Sequence, residues 1–228
     1  MRPVAERPSL VIFDWDGTVV DSTQTIAEAI RQACRDLDLQ VPTPEQAAYV
    51  IGLGLADALR VVAPDLPASR VPDLSARFKL HYLARDQFLR PFEGMLAVFE
   101  ALASAGLPLA VATGKSRAGL ERAFDATQTR SYFVTSRCAD ESVPKPGPEM
   151  VLEICEELDL EPRSALVIGD TTHDLQMAKS AGASAVAVSY GAHPEHLLHQ
   201  HGPRACLPTV AALHAWLNEH IISQEDIQ

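Results

Sequence analysis

Asp14 and Asp16 stand two residues apart at the end of an apolar run, in "VIFDWDGTVVDS" (residues 11–22). Val11, Ile12 and Phe13 favour burial, whereas Asp14, Asp16 and the nearby Asp21 favour water or a cation. Carboxylates crowded at one place repel one another unless a positive charge joins them. Asp14 and Asp16 therefore mark a site for a cation. Asp21, close to a helix start, is read as a turn or helix-cap residue. Two further apolar runs also end in polar residues: "LAVAT" in Thr113 and "ALVIGD" in Asp170.

Such residues act together only if the fold makes them converge. Runs of strand length recur at "LVIFD" (10–14), "LAVAT" (109–113), "ALVIGD" (165–170) and "AVAVSY" (185–190), with "YFVTS" (132–136) a weaker fifth. Uninterrupted apolar runs suit strands buried on both faces of a parallel sheet. Helical patterns separate most of them. "GMLAVFEALASAG" (94–106) spaces Leu96, Phe99 and Leu102 as a helix and ends at Gly106. "PEMVLEICEELDL" (148–160) repeats its apolar face at Val151, Leu152, Cys155 and Leu158. The alternation predicts an α/β fold, a doubly wound, mostly parallel sheet. In such sheets ligands bind beyond the carboxyl ends of the strands, where Asp14, Asp16, Thr113 and Asp170 fall.

Residues 22–90 break the alternation. Ile26, Ile30, Cys34 and Leu37 share a helical stripe, "LADALRVVA" and "LSARFKLHYLARDQFL" also read as helices, and no convincing strand is present. The segment predicts a helical domain inserted into an α/β core of residues 1–21 and 91–228, rejoined at "RPFEG" where Pro91 and Gly94 punctuate the chain. "LPTVAALHAWLNEHI" predicts a last surface helix capped by Thr209.

The chain has 228 residues, 47% hydrophobic and 21% charged, an ordinary globular balance. A formal net charge of -11 argues against non-specific partnership with nucleic acid or an anionic membrane, so an anionic substrate needs local positive charge. Cys34, Cys138, Cys155 and Cys206 are far apart and read as reduced thiols of a cytoplasmic protein. No apolar run approaches the ~18 residues of a membrane span. The N-terminal "MRPVAERPSL" has no apolar core before Asp14 and is not expected to be a secretory leader.

Four motifs in order make the chain resemble the haloacid dehalogenase superfamily, in its phosphatase branch and nearest to phosphoglycolate-phosphatase-like members with a helical cap. They are "DWDGT" (14–18), Thr113 in "VATGK", Lys145 in "VPKPGP" and "GDTTHD" (169–174). The resemblance implies a phosphatase that uses Mg²⁺ and an aspartyl-phosphate intermediate on a small phosphorylated metabolite, such as a phosphoglycolate-like monoester. It makes Asp14 the nucleophile and a metal ligand. Asp16 becomes the acid and base, touching the metal through its backbone carbonyl. Asp170 becomes a metal ligand, and Asp174 a holder of metal-bound water or of Lys145. Thr113, the Gly114 amide and Lys145 would grip phosphoryl oxygens, and Gly17 would turn the chain so that amides near Thr18 approach the phosphate. Gly52 and Gly54, in "IGLGLADALR", would form a cap loop dipping toward the phosphate.

Other readings compete. A dehalogenase of the superfamily generally lacks the second motif-one carboxylate, which Asp16 supplies here. A phosphomutase stays open, although mutases commonly carry a hydrophobic residue where Thr18 stands. A non-catalytic module keeping the fold would be expected to have lost its site, yet all six polar motif residues are present. Arg60, Lys79, Arg85 and Arg117 are candidates to hold a substrate carboxylate, each more simply read as a solvated surface group. Trp15 is expected to pack beneath its loop. "HPEHLLHQH" (193–201) predicts a mostly exposed polar helix rather than a metal site, and His173 either lines the site or caps a helix. The oligomeric expectation is a monomer or homodimer.

Overall fold

The computed structural model describes residues 7–223. The leader reading rests partly on Arg2, which lies outside the described residues. Six strands form one sheet: β1 (Leu10–Phe13), β2 (Leu109–Thr113), β3 (Phe133–Cys138), β4 (Ala165–Gly169), β5 (Ser184–Val188) and β6 (Cys206–Leu207). Their order is β3-β2-β1-β4-β5-β6, and every pairing is parallel. The direction of winding reverses between β1 and β4, the position where open α/β sheets keep their ligands.

Side chains along β1 alternate between two cores, as strand geometry requires. Val11 and Phe13 pack with α5 (Met95–Ser104), α6 (Arg117–Thr127) and α10 (Val210–Leu217) through Phe99, Phe124 and Leu213. Leu10 and Ile12 face α7 (Glu149–Glu157) and α8 (Thr172–Ala181) through Ile154 and Met177. The α/β reading therefore holds, and the weak fifth run is a full strand of the sheet. β6 escaped the sequence because two residues carry no periodicity.

Between β1 and α5 run α1 (Thr23–Asp36), α2 (Pro44–Tyr49), α3 (Leu55–Val62) and α4 (Val71–Leu83). They form their own apolar clusters, around Ile30, Val50 and Ala58 and around Cys34, Leu59 and Leu74. Among the described residues this stretch contains no strand. Val20 bridges Pro91, so the two ends of the helical insertion leave the sheet side by side.

Local signals set the element ends. Thr209 accepts from the Ala212 amide at 3.1 Å and Ser116 from the Gly119 amide at 3.3 Å, both as N-caps. Gly106 follows α5 in the left-handed conformation. The cap reading of Asp21 is wrong: α1 has Ser22 at its N-cap, without a side-chain cap bond, and Asp21 is exposed. Ser22 is occupied elsewhere, on Asp16. No described helix is long and apolar enough to cross a membrane.

Candidate active site

The ends of β1 and β4 place Asp14 and Asp170 next to each other, and the first turn of α8 adds Asp174. One carboxylate oxygen from each lies within 4.8 Å of the other two, and all three residues are buried. Lys145, on the loop before α7, reaches in fully buried. Its Nζ lies 2.5 Å from Asp14 Oδ1 and 2.6 Å from Asp174 Oδ1. Burial opposes the lysine's charge, but Asp14 and Asp174 outweigh it and hold its pKa above the ordinary value.

The three carboxylates respond differently. Burial raises Asp14 well above the carboxylate range, with Lys145 only partly offsetting it and Asp174 and Asp170 adding repulsion. Burial and the neighbouring Asp174 push Asp170 up to about 7, against bonds from the Ala192 amide and Thr18. Asp174 is also penalised by burial, yet Lys145 and Thr171 hold it below its ordinary value. Ionising all three carboxylates against one ammonium would leave two uncompensated negative charges in a buried pocket, which a cation would offset.

The residues fit a hard divalent cation. Asp14 Oδ2 is buried without a hydrogen-bond partner, and the donors are carboxylate oxygens, the set that suits magnesium-like ions. Asp170 is already oriented: Oδ1 accepts from Thr18 Oγ1 at 2.9 Å and Oδ2 from the Ala192 amide at 2.7 Å. Thr18, linked to the substrate by its motif position, thus turns its hydroxyl onto Asp170. Gly17 has φ +85°, and a Cβ there would collide with the Asp170 carboxylate.

Asp16 points elsewhere. Its Oδ1 accepts from Ser22 Oγ at 2.6 Å, and its Oδ2 lies 3.0 Å from Lys115 Nζ. Its side chain is not part of the carboxylate triad, so only its backbone is left for the metal contact that the resemblance assigns. Lys115 in turn donates to the Tyr82 hydroxyl of α4 at 2.7 Å, which ties the helical insertion to Asp16. Nothing in the sequence singled out Lys115, Tyr82 or Ser22; only the closeness of Lys115 to Thr113 was a signal.

Thr113 ends β2 fully buried, and its Oγ1 accepts from the Lys115 amide at 3.2 Å. Gly114 follows without room for a side chain: a Cβ would stand 2.5 Å from the Leu53 carbonyl oxygen and 2.7 Å from that of Gly52. The loop carrying Gly52 and Gly54 therefore does reach the strand ends. Gly52, at φ +93°, faces Thr171, and Gly54 faces Pro144 and Ala139.

Two histidines fasten that side of the insertion. His193 Nδ1 accepts from the Thr172 amide at 3.0 Å, so its protonated Nε2 donates to the Tyr49 carbonyl at 2.9 Å. His173 Nε2 donates to the same oxygen at 3.2 Å. The Tyr49 ring stacks on His193 with centroids 4.8 Å apart. Burial lowers both histidine pKa values, in keeping with neutral rings. His173 is no cap, since Thr171 caps α8. His193 departs from the exposed-helix reading because it is buried, while α9 (Glu195–His199) does carry exposed histidines. The other singled-out groups take structural places. Arg117 is held by Glu121, Glu141 and Ser136, Arg60 pairs with Asp57, and Trp15 packs edge-on against Phe124 and Phe133. Cys34, Cys138, Cys155 and Cys206 are all free thiols.

A parallel sheet wound about β1 gathers three carboxylates and one lysine at its switch point, the arrangement of an α/β protein with a cation-dependent site. The family model for haloacid dehalogenase-like hydrolases matches residues 11–188, and the chain belongs to that family. Within it the chain is a phosphatase, as its relatives are named. It is 36% identical over 219 residues to "Probable phosphatase IndB" of Dickeya dadantii, covering 91% of this chain and 94% of that one. It is 30% identical over 184 residues to the phosphoglycolate phosphatase of Aquifex aeolicus, covering 80% and 85%. In fold it matches a crystal structure of a hydrolase from Pseudomonas syringae with a TM-score of 0.85 at 20% identity, covering 93% of this chain and 98% of that one.

Proposed function

We propose that the protein is a Mg²⁺-dependent phosphatase that releases inorganic phosphate from a small phosphorylated metabolite by way of a phosphorylated Asp14. One observation carries the reading: Asp14 has one oxygen on Lys145 and the other buried and unpartnered, beside Asp170 and Asp174. Asp14, Asp170 and the backbone of Asp16 would hold the cation, which when bound neutralises the carboxylates and draws phosphoryl charge toward them.

The chain's own groups account for the rest. Asp14 attacks phosphorus as the ester oxygen leaves, forming an acyl phosphate. Asp16, kept off the triad by Ser22 and Lys115, gives its proton to that oxygen and later takes one from the attacking water. Thr113, the Gly114 amide and Lys145 steady the phosphoryl oxygens. Asp174 and Thr171 keep Lys145 in place. The helical insertion, residues 22–90, acts as a lid that excludes water and limits access to small molecules. Nucleic acid and membrane are not partners in this reading. The enzyme works in the cytoplasm, as a monomer or homodimer.

Phosphate release from a panel of phosphomonoesters, phosphoglycolate among them, tests the proposal. Release is expected with Mg²⁺ and not with EDTA, and Asp14→Asn is expected to reduce it to near background. Full turnover in EDTA, or by a folded Asp14→Asn protein, would overturn it.

A further inference from the structure

A cavity of about 820 Å³ lies between the strand ends and the helical insertion, with Asp14 and Asp16 among its walls. That volume is in the range of about 300–1,000 Å³ that encloses drug-sized ligands. It far exceeds what a two-carbon acid phosphate fills. The opposite wall is mostly apolar: Ile26 and Ile30 of α1, Leu53, Leu55 of α3, and Val71 and Phe78 of α4. Phe78 and Tyr82 stack with centroids 5.6 Å apart and rings 11° from parallel, and both line the cavity, which adds aromatic surface to this wall.

Positive charge for a second anionic group is scarce there. Lys115 is taken by Asp16, Arg60 by Asp57 and Arg122 by Asp86. Asp140, also in the wall, is negative. Lys79 forms no ion pair among the described residues, but it is exposed, where a lone charge gains little. A carboxylate placed in this cavity would lose its water without a buried cation to replace it.

Resting on the phosphatase reading above, we infer that the substrate is the phosphate monoester of an alcohol bearing an apolar, ring-sized group. The phosphate sits at the strand ends and the ring against the α1–α3–α4 wall. This preference distinguishes the chain from an enzyme built for phosphoglycolate.

Three esters with similar primary alkoxide leaving groups test the inference: phosphoglycolate, ethyl phosphate and 2-phenylethyl phosphate. The phenylethyl ester should show kcat/KM about tenfold or more above the other two, the gain expected from burying a ring. Ser75→Trp, which fills the wall, should raise KM for the phenylethyl ester more than for ethyl phosphate. Lys79→Met should not lower the rate with phosphoglycolate relative to the other two esters. Phosphoglycolate turned over best, or lost selectively in Lys79→Met, would overturn the inference. Binding decides the point without turnover: with Mg²⁺ present, 2-phenylethylphosphonate should raise Tm more than phosphonoacetate, and the reverse order would overturn it. If no ester released phosphate while the phenyl phosphonate still bound better, the phosphatase reading would fall and the cavity's preference would stand.

Discussion

The strand ends and the helical wall facing them are built on opposite principles. At the strand ends polar atoms hold polar atoms: Lys145 is clamped by Asp14 and Asp174, Asp170 by Thr18 and the Ala192 amide, Asp16 by Ser22 and Lys115. Across the cavity, Ile26, Ile30, Val71 and Phe78 offer surface without direction. Charged hydrogen bonds in a dry pocket fix position to a fraction of an ångström and fail sharply when one partner goes. Apolar contact tolerates adjustment and fails gradually. Changes at the strand ends should therefore be costly and act on the chemical step, whereas changes on the helical side should be milder and act on binding.

Removing the central cation gives the largest expected effect. Lys145→Met leaves buried carboxylates uncompensated and should cost about 3–5 kcal/mol of stability, read from urea unfolding without divalent ions. Mg²⁺ should restore part of the loss. An unchanged midpoint would mean that the carboxylates take up protons instead, and the contrast between the two regions would weaken.

Asp16→Asn should slow turnover by roughly 10²–10⁴-fold, the usual range for losing an acid or base. Aryl phosphates, whose leaving groups need less protonation, should lose less than alkyl phosphates. Equal losses for both would recast Asp16 as a purely structural residue.

Gly114→Ala probes the seam. The new methyl would press on the Gly52 and Leu53 carbonyls and push the loop back. KM should rise about tenfold, with a smaller change in kcat, since small displacements of positioning groups have large effects. A fall in kcat alone would place the loop in the chemical step.

Tyr82→Phe should be mildest. It keeps the ring and deletes the 2.7 Å bond from Lys115. A loss of about 1 kcal/mol, or up to about fivefold in kcat/KM, is expected. A loss as great as that of Asp16→Asn would show that the insertion governs the acid–base group directly.

Much of the strand-end site was legible because it follows from local rules. Strands buried on both faces read as apolar runs, and the residues ending them must meet at one edge of a parallel sheet. Asp14, Asp16, Thr113 and Asp170 were found that way. Asp174 and Lys145 needed the resemblance, since neither ends a strand. The insertion was legible as helices but not as a surface. Tyr82 meets Lys115 across 33 positions and His193 meets Tyr49 across 144, and periodicity carries no such information. His193 was misread because it was grouped with the polar residues that follow it, whereas the Thr172 amide, the Tyr49 carbonyl and the Tyr49 ring hold it buried. The helix α2 was overlooked although Thr43 and Gln46 form a reciprocal cap at its start.

The two histidines converge on a main-chain oxygen, that of Tyr49, not on a side chain. Every amino acid brings that oxygen, so substitution at position 49 can remove a ring but not the acceptor. The donors have no such freedom, because His193 must present an acceptor on one nitrogen and a proton on the other. The attachment is thus generic on one side and particular on the other. Sequence drift at position 49 leaves the joint to the sheet in place while α1, α3 and α4 reshape the wall seen by the substrate, whereas drift at 173 or 193 would break the joint. Selectivity in this chain can change across generations without the insertion losing its seat.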